Sequence, residues 1–359
     1  MAGCCISPTG ARIRSARYGR GVDALPELDE LLSSVHVVSL PLSVRFRGVM
    51  HREAALFCGP HGWTEFSPFL EYDDDESAAW LAAAIEFGWS TPLRPRRDAI
   101  PVNATVPAVA AERVPEVLAL YGKTPAHTIK VKVAERGQSL QEDVARVRAV
   151  HEAAPQARVR VDANGAWSLE EAKRALDALS WASLEYVEQP VATLADMVEL
   201  RQWSRSQGPG TLLAADELVR KAEDPLAVAR AGAADVIIVK AQPLGGIRRA
   251  LTVVQEASLP AVVSSALDTQ VGIGMGLALA AALPALPYAC GLGTGRLFRT
   301  AIADLGPSPS PWLVPPRRAT PTPEALADAG ASPARTAWWR DRIRRCYRRL
   351  VDARGHSPE

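Results

Sequence analysis

Hydrophobic and polar positions along this chain fall into distinct regimes. Over residues 36–68 the run HVVSLPLSVRFRGVMHREAALFCGPHGWTEFSP alternates apolar with polar side chains, the period of half-buried antiparallel strands. A helical stretch, SAAWLAAAIEFGW, follows at residues 77–89. Together they predict an α+β capping unit over residues 31–100.

From residue 101 the pattern changes. Short runs suited to strands recur: IPVNATVP, HTIKVKV, ARVRVDANG, SLEYVEQP, TLLAADE, ADVIIVKA, PAVVSSAL and YACGLGT. Between them lie Ala-, Glu- and Arg-rich pieces with helical spacing, such as SLQEDVARVRAVHEAAP and SLEEAKRALDALSW, the second opening on a Ser-x-x-Glu capping box at Ser168. Strand and helix alternating every roughly 25–30 residues imply parallel pairing, and about eight such units close a barrel. An open doubly wound sheet fits less well. No Gly-x-Gly-x-x-Gly follows the first strand, and the late GIGMG near residue 272 lacks a P-loop lysine. The predicted fold is α/β, a TIM-like (β/α)7β barrel over residues 101–305 with an N-terminal α+β capping domain.

Residues 1–30 read as an N-terminal extension. Residues 306–359 read as a Pro-rich surface crossing followed by a basic helix that packs on cap or barrel. In that helix, TAWWRDRIRRCYRRL, Trp339, Ile343, Tyr347 and Leu350 share one face and six arginines lie elsewhere.

Charge narrows the partners. The chain carries 41 basic and 40 acidic residues, net +1, so no overall field draws it to nucleic acid or an anionic membrane, and a small molecule is the expected partner. Residues 271–290 carry no charge, yet Pro284, Pro287 and the polar Asp268 and Gln270 just before them predict a buried helix and no membrane span. The five cysteines form neither a disulfide framework nor a zinc pattern, which fits a reducing, cytoplasmic setting. Oligomeric state stays open.

Candidate chemistry collects at the strand ends. Lys130 and Lys132 in HTIKVKV must share one side of their strand. Asp162, Glu188 and Asp216 end three successive strands, and Lys240 ends the next. In a closed barrel these ends gather at one mouth. Each acid alone reads as well as a helix cap or a strand end. Three together repel one another unless a cation joins them, and oxygen-only ligation points to Mg²⁺, with Mn²⁺ the alternative, and away from zinc. Lys132 and Lys240 then flank the acids from opposite sides. That arrangement suits removal of a proton α to a carboxylate, so the expected substrate is a small carboxylate.

The ordered set KVK, DANGAW, EQP, ADE and VIIVK resembles the enolase superfamily over roughly residues 31–305. A lysine base with Mg²⁺ is an established pairing there. Within it, GWTEFSPFLEYDDDESAAW and VSSALDTQVGIGMGLALAAAL are similar to the actinobacterial dehydratases that form o-succinylbenzoate for menaquinone. The resemblance implies a hydro-lyase reaction, syn dehydration of 2-succinyl-6-hydroxy-2,4-cyclohexadiene-1-carboxylate. It further implies Asp162, Glu188 and Asp216 as metal ligands, Lys132 as the base, and Lys240 as the group stabilising the enediolate. Lys130, Arg160 and Asn164 would shape the surroundings of metal and substrate, and Ser264 and Ser265 would face the succinyl end. A racemase of N-succinylamino acids or a dipeptide epimerase would use the same two lysines. A third alternative is a non-catalytic barrel that binds through its basic tail.

Overall fold

The computed structural model describes residues 25–220 and 224–355. Of the expected extension, residues 1–24 lie outside the described residues, and a short helix, Leu28–Ser33, begins within the rest. The alternating region forms the antiparallel sheet β1 (His36–Phe46), β2 (Val49–Gly59) and β3 (Gly62–Phe66), in that order. Its inner face packs on the helix Asp74–Trp89, whose first turn is capped by the Asp73 side chain accepting from Glu76 N at 2.8 Å. β4 (Ile100–Pro101) pairs antiparallel with Leu313–Val314.

Seven parallel strands follow: β5 (Ala104–Val106), β6 (Thr128–Lys132), β7 (Arg158–Asp162), β8 (Val187–Glu188), β9 (Leu213–Ala215), β10 (Val236–Val239) and β11 (Ala261–Val263). Each neighbours its predecessor in the chain. The expected eighth run is reduced to two bridging residues. Gly291 pairs with Ser264 beyond β11, and Cys290 pairs with Val102 before β5, both in parallel. Gly291 N donates to Val263 O at 2.8 Å, and Asn103 N donates to Cys290 O at 2.9 Å.

The connecting helices form where the capping signals stand. Ser139 and Ser168 each make a full capping box, opening the helices Leu140–Ala153 and Leu169–Ala178. The helix Gln270–Ala282 is buried on nearly every side, which accounts for the uncharged stretch there. Among the described residues no helix is long and apolar enough to cross a membrane.

One apolar core runs through the three-stranded sheet, the parallel sheet and the C-terminal helix Pro333–Gly355, taking in Phe57, Trp80, Val131, Val239 and Trp339. Trp339 meets Phe66 edge to face and its Nε1 donates to Glu53 Oε2 at 2.7 Å. Arg342 is buried, donating to Phe69 O at 3.0 Å and Ser77 Oγ at 2.7 Å. The apolar stripe of the basic helix is docked, and Arg335, Arg342, Arg345 and Arg349 of that helix bond to the N-terminal sheet and its helix. Cys290 and Cys346 are buried free thiols.

Candidate active site

Strand alternation puts one set of side chains on a common face. Residues two apart share a side, so Lys130 goes with Lys132, Arg160 with Asp162, Ala214 with Asp216, Ile238 with Lys240 and Val262 with Ser264. The ladder sets Lys132 beside Asp162, and Asp162 beside Glu188. The apolar members of this face, Ala214, Val236, Ile238 and Val262 with Tyr186, form a buried cluster of their own. Among the charged members Arg160 lies level with Tyr186, and the others lie beyond it, towards the C-terminal ends of the strands.

There ammonium groups and carboxylates interleave. Lys130 Nζ lies 2.7 Å from Asp162 Oδ2 and 2.6 Å from Glu188 Oε1. Lys132 Nζ donates to Asp162 Oδ2 at 2.5 Å and to Asn164 Oδ1 at 2.6 Å. Lys240 Nζ donates to Asp216 Oδ2 at 2.5 Å. All six charged groups are buried except Lys132, which is partly open.

Burial works against every charge here, and the neighbours decide the outcome. For Lys130, burial opposes the ammonium, but Asp162 and Glu188 outweigh it and hold its pKa above the ordinary lysine value. For Lys132, burial joined by the like charge of Lys130 prevails over Asp162, and its pKa falls. The lysine that reaches open space is the one inclined to give up its proton. Burial opposes the Asp162 carboxylate, yet Lys130 and Lys132 hold it well below the usual range. Asp216 is likewise held at about 2, against burial, by Lys240 and Arg220. Glu188 is pushed up to about 7 by burial and by Asp162.

A cavity of about 30 Å³ is lined by Lys130, Lys132, Asp162, Asn164, Lys240, Ser264 and Ser265. Glu188 and Asp216 adjoin it through their bonds to Lys130 and Lys240. Ser265 Oγ shares hydrogen bonds with Gly291 O at 3.0 Å and Thr294 Oγ1 at 2.7 Å, and a side chain at Gly291 would collide with Ser264 Oγ. Arg160 is a correction. It stands one layer below Asp162, so its guanidinium turns away from the mouth to Tyr186 Oη at 2.7 Å and Glu185 Oε2 at 2.5 Å. It does not line the cavity.

Three supporting residues were not singled out from the sequence. Gln189, with φ of 38°, accepts from Asp216 N at 3.0 Å and from Leu218 N at 3.2 Å, fixing the turn that carries Asp216. Glu217 accepts from Asn164 Nδ2 at 3.2 Å and from Arg220 Nη2 at 2.9 Å. The i,i+4 spacing of Asp216 and Arg220 in ADELVR is the signal that points to this pair.

Among the described residues no group of three or more His, Cys, Asp or Glu side chains is disposed as a ready metal cage. The donor chemistry nonetheless fits a hard dication. Asp162, Glu188 and Asp216 offer oxygen only, from three adjacent strands. Asp216 Oδ1 is buried without a hydrogen-bond partner, 3.3 Å from Arg220 Nε in a misaligned contact.

A parallel sheet carrying acids and lysines at its strand ends, beneath an antiparallel N-terminal sheet, defines a class. Residues 37–88 match the family described as Enolase N-terminal domain-like, and residues 110–309 match Enolase C-terminal domain-like. The fold agrees. A muconate lactonizing enzyme from Pseudomonas fluorescens superposes with a TM-score of 0.69 at 20% identity, covering 83% of this chain and 98% of that one. The L-Ala-D/L-Glu epimerase from Bacillus subtilis gives 0.66 at 20% identity, covering 80% and 96%. The o-succinylbenzoate synthase of Mycobacterium tuberculosis (strain ATCC 25618 / H37Rv) is 51% identical over 335 residues, 93% of this chain and 100% of the relative. That of Mycobacterium leprae (strain TN) is 52% identical over 332 residues, 92% and 96%. The chain belongs to the o-succinylbenzoate synthase family of the enolase superfamily.

Proposed function

We propose that this chain is an enzyme of the hydro-lyase class that dehydrates 2-succinyl-6-hydroxy-2,4-cyclohexadiene-1-carboxylate to o-succinylbenzoate, in the cytoplasm and for menaquinone biosynthesis. The observation that carries this is the 51% identity to the mycobacterial synthase along that protein's whole length. We read the parallel sheet as a closed (β/α)7β barrel, because Cys290 and Gly291 bond to both of its edges. The cap then spans residues 31–100, the barrel 101–305, and the Pro-rich segment with its helix 306–359.

Lys132 is the base. Its lowered pKa and its position on the open cavity fit it to take the proton from the carbon bearing the carboxylate. The electron pair left behind makes an enediolate. Collapse of that enediolate forms the ring double bond and expels the 6-hydroxyl, to which Lys132 returns the proton, so one water leaves and the ring becomes aromatic. One base serving both steps gives syn elimination. Lys240, on the far side of the acids, holds its ammonium against the enediolate. Lys130 keeps Asp162 and Glu188 in register and presses the Lys132 pKa down.

Asp162, Glu188 and Asp216 would hold Mg²⁺ or Mn²⁺, which when bound supplies charge to stabilise the enediolate oxygens. Asn164 orients Lys132, and Ser264 with Ser265 borders the succinyl arm.

Purified protein given the cyclohexadiene and Mg²⁺ should release o-succinylbenzoate, seen by ultraviolet absorbance, and EDTA should stop it. Folded protein with Mg²⁺ that makes no product, but exchanges the α-proton of an N-succinylamino acid in deuterated buffer, would replace this reading with the racemase one.

A further inference from the structure

Away from the reaction cavity, one cleft holds a cation that the chain leaves unanswered. Its volume is about 100 Å³. It lies at a seam, where the end of the helix Asp74–Trp89 and residues 90–95 meet the helices Ile247–Ala257 and Gln270–Ala282 and the chain at 316–318. A buried water needs about 10–15 Å³ and a cavity of ~150 Å³ admits benzene, so the cleft suits a molecule of a few heavy atoms.

Arg318 is the polar wall. Its guanidinium lies 3.6 Å from the centre of the Phe87 ring and Nη2 donates to Phe87 O at 2.6 Å, which fixes its plane. Nη1 is buried with no hydrogen-bond partner, and Ser90 Oγ, in the same lining, is left in the same state. Burial pushes the Arg318 pKa down to about 10, and among the described residues no carboxylate pairs with it to oppose that. A buried charge without a partner is costly, and keeping one calls for a partner from outside the chain. The lining carries three arginines, Arg248, Arg317 and Arg318, against one acid, Glu86. That acid is already taken, since its Oε1 accepts from Ile247 N at 2.8 Å and from Arg248 N at 3.2 Å. What Arg318 lacks is an anion from solution.

The rest of the wall sets the kind of anion. Phe87, Leu93, Ile247 and Ala278 give it an apolar surface, and Leu93 is 37% exposed where the cleft meets solvent. An inorganic dianion would leave most of its oxygens without donors against such a surface. We propose that this cleft is a binding site for a small monocarboxylate with a short apolar tail, the carboxylate received by Arg318 and Ser90 and the tail by the apolar wall. A bound acid ties the N-terminal unit to both helices at once. The site is separate from the lysines and acids of the reaction cavity and does not depend on the reaction proposed above.

Thermal unfolding without added metal tests this, with butyrate as the probe. At about 10 mM, butyrate should raise the melting temperature of wild type by about 2 °C or more, while its neutral isostere butyramide, and inorganic phosphate at the same ionic strength, should not. Two variants locate the effect independently. Arg318→Met keeps the packing of the stem and removes the unpaired charge, so it should melt no lower than wild type and lose the butyrate shift. Ala278→Leu fills the cleft with Arg318 in place and should lose the shift as well. Lys132→Ala should keep it. No shift in wild type, an equal shift with butyramide or phosphate, a shift that survives in Ala278→Leu or Arg318→Met, or one that disappears in Lys132→Ala overturns the proposal. If Arg318→Met does not fold, Ala278→Leu and the butyramide comparison still decide it.

Discussion

Glu65 of β3 caps a helix more than two hundred residues away, its Oε2 accepting from Gly272 N at 2.9 Å and from Thr269 Oγ1 at 2.5 Å. A carboxylate at a helix N-terminus satisfies free amides and faces the positive end of the dipole. Glu86 repeats the device one helix earlier, accepting from Ile247 N at 2.8 Å. The N-terminal unit thus grips the two helices that follow Lys240 and Ser264. Gly272 must be glycine for this approach, since a Cβ there would lie 2.8 Å from both the Glu65 carboxyl carbon and Asp268 Cβ. Gly272→Ala should cost about 1–3 kcal/mol by overpacking, read as a lower denaturant midpoint. An unchanged midpoint would show that the contact carries little.

Asp268 faces Glu65 in that grip. Burial, then the Glu65 charge, pushes its pKa up to about 7 from the ordinary 3.8. A carboxyl whose folded pKa is raised binds more protons in the native state. Its contribution is therefore whole below about pH 4 and is lost as pH rises through about 7. Asp268→Asn removes that loss, so the variant should be more stable than wild type at pH 8 by an amount on the order of a few kcal/mol, and should show no gain at pH 4. Urea midpoints at the two pH values decide it. A variant weaker at both would mean that the carboxylate serves the buried Arg52, whose charge opposes the upward shift of Asp268.

The C-terminal helix is a structural strut. Trp339→Ala should destabilise by about 3–5 kcal/mol through the lost ring, although Glu53 keeps its ion pair with Arg335. Lowering the salt should raise no affinity of the intact protein for nucleic acid. Salt-sensitive binding that vanished on removing residues 333–359 would support the tail-mediated alternative instead.

The polar face of the parallel sheet was legible because strand alternation has a period of two. Lys130 and Lys132 had to share a side, and Asp162, Glu188, Asp216 and Lys240 end consecutive strands, so their meeting follows from topology. Arg160 obeys the same alternation, yet depth along a strand is not written in its period. Two residues put it in the layer of Tyr186. Glu65 and Glu86 were invisible for a different reason. Their partners are backbone amides some 160 to 200 residues downstream, and a lone glutamate in a strand or helix carries no local mark of that. The eighth strand, Cys290 and Gly291, read as a full β run but pairs through only two residues.

The most direct test of the whole account is product formation by wild type and Lys132→Ala, compared at equal folded concentration with Mg²⁺ present. Lys132→Ala should lose at least about a thousandfold in kcat while binding o-succinylbenzoate within about tenfold of wild type. A variant that keeps a tenth of the wild-type rate would contradict Lys132 as the base and the mechanism built on it.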